Sequence, residues 1–272
     1  MSRFSPGDAA LEGFQVIARH WRVVVGWAAF NLLAMVAMVT TTVIVLVSFA
    51  TVGGASLRPQ LAGQVSGAIA ALGYGLTQVV IVTGLYRLML RPTEPGFLHL
   101  RLGRTELRVF VGFLAPAVAL APLAFAVTLG VGAVGERSLP LAMLCAAVGM
   151  VLVLGVALRF ALVPVIGFVE GGVPMAPAWR LSRGNAWLLL GMALLVASLL
   201  AVIGAAIWLA LFVLGGLLTG FDDLGLSGAE SLVAHPGRYA LQIVAELALA
   251  PVFLVIAQAP FVAVYRALRD PD

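Results

Sequence analysis

Lysine is absent from this chain of 272 residues, and Cys145 is its single cysteine. One cysteine excludes both a disulfide framework and a cysteine metal site within one chain. Charge is also scarce, since 10% of the residues are charged and 62% are hydrophobic. A soluble domain of this length would not have enough polar surface to cover itself, so the composition indicates an integral membrane protein.

Long apolar stretches are abundant, and six of them approach or exceed the roughly 20 residues that cross a bilayer as a helix. They run over 23–50, 61–86, 109–135, 138–158, 187–215 and 239–265. We therefore predict an all-α fold, a polytopic transmembrane helix bundle with six spans. The whole chain, 1–272, is expected to form a single integral membrane domain.

Arginine is distributed unevenly between the gaps that separate these stretches. Thirteen of the sixteen arginines lie before the first stretch or in alternate gaps after it, whereas the other gaps hold only Arg58, Arg137 and Arg238. Basic residues are retained on the cytoplasmic side, so both termini are predicted to lie inside. This pattern favours a topological role for the charge and no nucleic-acid partner. We expect a multi-pass protein of the prokaryotic plasma membrane, which is the inner membrane in a Gram-negative cell.

Amphipathic segments precede the first, third and fifth spans. Ser5, Pro6 and Asp8 form a helix-start pattern of an N-cap, a proline at the first helical position and an acid near the positive helix end. Apolar residues then recur at near-helical spacing, and similar segments lie around 97–108 and 178–187. They predict three interfacial helices on the cytoplasmic side.

The starts of these three spans align on Gly26, Gly112 and Gly191, at spacings of 86 and 79 residues. Arginine with a neighbouring aromatic residue also closes the second, fourth and sixth spans. We infer a threefold repeat of an interfacial helix, a span out and a span back. The predicted repeat units run over 5–90, 95–165 and 174–269.

Arg159 lies within an apolar run over 139–169 and has two interpretations. A charge inside a span is a functional candidate. In the register of the repeat, however, Arg159 closes the fourth span and extends its charge to the interface. Residues 160–168 would then form an interfacial or re-entrant piece that ends at Glu170, Gly171 and Gly172.

Small residues recur at every fourth position on the second and fifth spans. The two sets are Gly63, Gly67, Ala71 and Gly75, and Ala193, Ala197, Ala201 and Ala205. Small side chains let helix backbones approach closely in lipid, either within the bundle or across the seam of a homo-oligomer.

Glu246 is the one acid well inside a predicted span, and Gln242 lies one helical turn before it. In one interpretation, a neutral Glu246 is hydrogen-bonded to Gln242 or to a backbone carbonyl. In the other, Glu246, Gln242 and Asn31 line an intramembrane polar site that takes up a proton or a ligand.

Groups suited to catalysis are few. The three histidines are scattered between the two predicted membrane faces, and the chain has no His-Glu-x-x-His helix, Gly-x-Ser-x-Gly turn or phosphate-binding glycine loop with lysine. We therefore expect no enzymatic activity, no metal and no cofactor.

A family resemblance is carried by Ala178-Trp179-Arg180-Leu181-Ser182-Arg183-Gly184-Asn185-Ala186-Trp187. This segment resembles the Ser-Trp-Arg-Leu-Thr-(Arg/Lys)-Gly-Asn-x-Trp element of the membrane domain attached to some glycerophosphoryl diester phosphodiesterases, and of related stand-alone bacterial membrane proteins. Ala178 stands where the family usually has serine. The resemblance implies a six-span membrane domain. It does not imply phosphodiesterase activity, because in the fused proteins that activity belongs to a separate soluble barrel.

The same segment suits an anchor at the membrane interface, where tryptophan fits headgroup depth and arginine binds lipid phosphates. Together with two arginines at the start of the third span, it predicts a set of lipid-phosphate contacts that we name the basic collar. Its members are Arg104, Arg108, Arg180, Arg183, Trp179 and Trp187.

These features predict a non-enzymatic protein that binds or organises anionic membrane lipids at the cytoplasmic face, or supports a membrane protein partner. One alternative is a small-solute or proton-coupled transporter or channel that uses Glu246. A second alternative is an accessory subunit of a larger membrane complex.

Overall fold

The computed structural model describes residues 5–52, 59–94, 96–135, 138–219 and 236–269. Within these ranges the regular structure is entirely helical, as predicted. In chain order the helices are α1 (Pro6–Val52), α2 (Pro59–Leu90), a short 3-10 helix (Phe97–His99), α3 (Arg104–Gly135), α4 (Leu139–Phe160), α5 (Val163–Glu170), α6 (Met175–Ser182), α7 (Ala186–Thr219) and α8 (Pro236–Arg269).

Among the residues that the structure describes, six helical segments are long and apolar enough to cross a membrane, in agreement with the six predicted spans. They are Pro6–Phe49, Gly63–Leu90, Arg104–Gly135, Leu139–Glu170, Ala186–Leu217 and Ala240–Arg269. The chain thus has the make-up of a multi-pass membrane protein. Which termini face the cytoplasm stays a prediction.

Helix α1 begins at Pro6, as the capping pattern predicts. The backbone N–H of Asp8 donates to Ser5 Oγ over 3.4 Å, so the N-cap hydroxyl satisfies one donor of the first turn. The helix is interrupted at His20, whose φ of −124° and ψ of 32° are not helical. This break separates the amphipathic first segment from the apolar residues that follow it.

The fourth apolar run also contains a break, so it is not one continuous helix. Helix α4 ends at Phe160, and α5 covers Val163–Glu170. Gly171 and Gly172 follow with φ of 81° and 74°, a backbone region that glycine adopts without steric cost. Helix α5 thus ends at Glu170, directly before the two glycines, and most of it is buried. Its interfacial or re-entrant character stays a prediction.

The described chain forms two compact units. Unit 1 comprises the described parts of Met1–Glu12, Thr83–Leu195 and Gln258–Asp272, and unit 2 comprises those of Gly13–Val82 and Val196–Ala257. Large, fully buried side chains include Leu85, Tyr86, Leu162, Ile166, Leu189 and Met192 in unit 1, and Trp27, Ile81 and Ile256 in unit 2. The threefold repeat stays a prediction.

Close backbone approach occurs at glycines outside the two small-residue sets. In unit 2, a Cβ added to Gly13 would lie 2.6 Å from Ile256 Cα, and in unit 1 a Cβ on Gly112 would lie 3.3 Å from Pro164 Cα. By contrast, a Cβ on Gly63 or Gly67 would meet no described atom within 4 Å. The described residues therefore show no close helix packing that would require glycine at positions 63 and 67.

Candidate functional site

Asn31 is fully buried in unit 2 and makes two hydrogen bonds. Its Nδ2 donates to the carbonyl oxygen of Leu247 over 2.7 Å, and its Oδ1 accepts from Gln78 Nε2 over 3.0 Å. Leu247 lies four residues before Pro251, and proline has no N–H to offer to that carbonyl. Asn31 thus supplies the donor that α8 itself lacks at this point.

Glu246 is the neighbour of Leu247, but its side chain is exposed. Its Oε1 accepts a hydrogen bond from Gln242 Nε2 over 2.9 Å. The structure therefore brings together two members of the predicted intramembrane polar site, Glu246 and Gln242. Asn31 takes part in a different set of hydrogen bonds.

A small groove with a cavity volume of about 80 Å³ lies beside Gln242 in unit 2. The rings of Trp208 and Phe212 stack in its wall with centroids 5.4 Å apart and an angle of 15° between their planes. Leu211, Gly215 and Leu241 complete the described lining, which contains one amide and no charged side chain. The groove consequently offers little to a strongly polar solute.

All six residues of the basic collar belong to unit 1. Arg104 and Arg108 lie on the first turns of α3, and the other four lie on α6 or between α6 and the first turn of α7. All six side chains are exposed, with fractional exposures of 40% for Trp179 and 84% for Trp187. The collar thus combines exposed cations with exposed indole rings.

The arginines of the basic collar have no carboxylate partner among the described residues. Three glutamates of unit 1, Glu94, Glu106 and Glu170, pair with other arginines instead. Those ion pairs are Arg87 with Glu94 and Glu106, Arg91 with Glu94, and Arg269 with Glu170. The positive charge of the collar is therefore not neutralised by these ion pairs.

The end of α4 is tied to α6 next to the collar. The hydroxyl of Ser182 lies 3.3 Å from the Arg159 carbonyl and 3.0 Å from the Trp179 carbonyl, within hydrogen-bonding distance of both. The Arg159 guanidinium lies over the Trp179 ring, with Cζ 5.2 Å from its centroid, and the Phe160 ring is 5.4 Å away. Arg159 is thus a helix-end residue that stacks on a collar tryptophan.

Arg87 and Glu106 form a buried ion pair that sequence reasoning missed. Their side chains are 6% and 5% exposed, and Arg87 Nη2 donates to Glu106 Oε1. Arg87 Nη1 also donates to the His99 carbonyl over 3.0 Å, and Leu98 and His99 both have positive φ in this turn. The sequence did show that Glu106 lies in the first turn of α3. An acid is favoured there by the helix dipole alone, so its position did not indicate an arginine partner.

The fold and these clusters define an all-helical, multi-pass membrane protein with a basic collar in one unit and a Glu246–Gln242 pair in the other. No family model matches this sequence, and no curated protein or solved structure matches it either. The resemblance of 178–187 to the phosphodiesterase-linked membrane domain stays a prediction.

Proposed function

We propose that this chain is a non-enzymatic integral membrane protein that binds or organises anionic lipids through the basic collar. The observation that carries the proposal is the exposure of four arginines that have no carboxylate partner in the described part of the chain, in a unit where other arginines do pair with acids. An arginine near an anionic membrane surface contributes about 1 kcal/mol to attraction. Lipid phosphates are the natural counter-ions for such a set at the cytoplasmic face.

The tryptophans of the collar support the same proposal. Indole rings favour headgroup depth because one edge is apolar and the N–H is polar. Trp179 is held by Arg159 and Phe160, so α6 offers a fixed arrangement of rings and cations to the lipid surface. The resemblance of this segment to a membrane domain from which the hydrolytic barrel is separate agrees with a role without catalysis.

The test is native mass spectrometry of the protein released from nanodiscs formed directly from its own membranes. In the variant Arg180→Gln with Arg183→Gln, we expect clearly fewer retained anionic lipids than in the wild type. The matched control is Arg58→Gln with Arg137→Gln, which removes the same charge at two positions outside the described residues. The charge asymmetry predicts that these two lie on the opposite side of the membrane.

The outcome separates three cases. Unchanged lipid retention in the Arg180 and Arg183 variant would contradict the proposal. An equal loss in the control variant would show a general charge effect rather than a collar. A retained protein partner without specific lipid would instead make the chain an accessory subunit of a larger assembly.

A second candidate function is transport of a small solute or a proton, in which Glu246 takes up the proton or a cation. The specific observation in its favour is an exposed carboxylate within a span whose one hydrogen bond among the described residues comes from Gln242. Glu246→Gln should then abolish pH-dependent flux in proteoliposomes, while Asp8→Asn should leave it unchanged. Equal flux in wild type and Glu246→Gln would remove this candidate.

A further inference from the structure

A second groove, in unit 1, lies between α4 and α7 and has a cavity volume of about 280 Å³. Its walls include Val151, Leu154 and Gly155 from α4, and Trp187 and Leu190 from α7. These side chains are apolar, and several are largely exposed, Val151 by 69%. The groove is open to the outside of the protein. The two helices that line it, α4 and α7, are both part of segments long and apolar enough to span a membrane.

Arg159 is the one charged residue in the described lining of this groove. It lies in the last turn of α4, one end of the groove wall, and its guanidinium is stacked on Trp179. No carboxylate of the described residues pairs with it. A molecule that fits the groove must therefore be apolar along its length and anionic at one end.

We propose that the α4–α7 groove holds an acyl chain of one anionic phospholipid, whose phosphate binds Arg159. From Val151 to Arg159 the wall extends about 12 Å at 1.5 Å per residue, close to half of the roughly 30 Å hydrocarbon core. A phosphate at the Arg159 end would then sit at the level where the hydrocarbon begins. This inference rests on the proposed lipid-binding function and names a specific site and ligand for it.

The surrounding bilayer limits which interactions can hold a lipid in the groove. Bulk lipid tails are as apolar as the groove, so burial of an acyl chain gives no strong hydrophobic gain by itself. Retention must come from the shape of the groove and from the contact between phosphate and guanidinium. Binding should therefore depend both on open space at Gly155 and on the charge of Arg159.

Gly155 allows the shape of the groove to be tested without a clash in the backbone. A Cβ at this position would meet no described atom within 4 Å, so the side chain of Gly155→Leu starts from open space on the groove wall. Gly130 in α3 of the same unit is a matched control, because a Cβ there also meets no described atom within 4 Å. Gly130→Leu adds the same side chain away from the groove.

Charge is tested with Arg159→Gln against Arg22→Gln. Arg22 is also stacked on a tryptophan, with Cζ 5.5 Å from the Trp21 ring, but it does not line this groove. The two variants remove the same charge and the same kind of ring contact. A general effect of arginine loss at the interface would therefore appear in both.

The experiment reconstitutes the full chain in nanodiscs with equal parts of phosphatidylglycerol and phosphatidylcholine, and counts the phospholipids that survive release in native mass spectrometry. We expect the wild type, Gly130→Leu and Arg22→Gln to retain one phosphatidylglycerol at activation energies that remove the others. Gly155→Leu and Arg159→Gln should lower that bound fraction by about fivefold, the factor for a loss of about 1 kcal/mol. Thermal unfolding in detergent checks that each variant is folded.

Retention of phosphatidylglycerol at the wild-type level in folded Gly155→Leu and Arg159→Gln would overturn the groove site. Loss of phosphatidylcholine instead, or loss of a second copy of the chain or of another protein, would overturn it as well. The Arg180 and Arg183 variant separates the two proposals. If it loses anionic lipid while the groove variants do not, the collar stands and the groove site fails, whereas unchanged retention in all variants contradicts both.

Discussion

Asn31 donates a hydrogen bond of 2.7 Å to the carbonyl oxygen of Leu247, which Pro251 leaves without a helical donor. A buried carbonyl without a partner is costly in an apolar environment, so a side chain on another helix compensates for the proline. The proline in α8 and the asparagine in α1 are therefore two parts of one structural device within unit 2.

Replacement of Asn31 should destabilise the protein. In Asn31→Leu, the Leu247 carbonyl and the Gln78 amide both lose a partner, and we expect a cost of about 1–2 kcal/mol. The free energy of unfolding can be measured by titration of detergent micelles with sodium dodecyl sulfate. An unchanged free energy of unfolding would contradict this role for Asn31.

The role of Pro251 can be isolated with a double-mutant cycle. Pro251→Ala restores a backbone N–H for the Leu247 carbonyl, so Asn31→Leu should cost less in this background than in the wild type. We expect the Gln78 contact to account for the remainder. Equal costs in both backgrounds would show that Asn31 does not act through the missing proline donor.

The buried pair of Arg87 and Glu106 should be much more sensitive to loss of one partner than to loss of both. Glu106→Ala leaves a buried guanidinium with its main counter-ion removed, which typically costs about 3–5 kcal/mol. Arg87→Met with Glu106→Leu replaces both charges with apolar groups and should cost clearly less than the sum of the single changes. The same unfolding titration gives all the values, and additive costs would argue against a coupled pair.

Two glycines should differ in their response to the same substitution by alanine. Gly13→Ala places a Cβ 2.6 Å from the backbone of Ile256, so helix packing must shift, at a cost of about 1–3 kcal/mol. Gly67→Ala meets no described atom and should be neutral or stabilise by up to about 1 kcal/mol through helix propensity. The midpoint of thermal unfolding in detergent is measured for both variants and the wild type. A Gly13→Ala midpoint equal to that of the wild type would contradict the close approach of Gly13 to Ile256.

The predicted orientation can be tested by labelling single cysteines in a Cys145→Ala background. Thr93 lies exposed between α2 and α3, in a gap rich in arginine, whereas Ser227 lies outside the described residues in an arginine-poor gap. In intact cells, a membrane-impermeant maleimide should label Ser227→Cys but not Thr93→Cys, because arginine is retained inside. Inverted vesicles should give the reverse, and labelling of both sites from one side would contradict the topology.

Part of the candidate site followed from local sequence. Glu246 and Gln242 are one turn apart, so helix geometry alone places them on one face, and their hydrogen bond is present. The residues of the basic collar are likewise near in sequence to helix starts, where exposure is common. Asn31 was singled out as polar within a span, but its partners were not predictable, because Leu247 and Gln78 lie on other helices.

The sequence by itself determined the helical class, the six apolar spans, the start of α1 and the end of α5. The length of a span, a helix cap and a glycine turn each depend on the residues of one helix or one short segment. They can therefore be predicted from local sequence. Three relationships were decided by the tertiary structure alone. Arg87 pairs with Glu106, Asn31 donates a hydrogen bond to the Leu247 carbonyl, and Arg159 lines the groove between α4 and α7. These relationships depend on which helix faces lie together, and in lipid that choice comes from the fit of side chains, because hydrophobicity is the same on every apolar face.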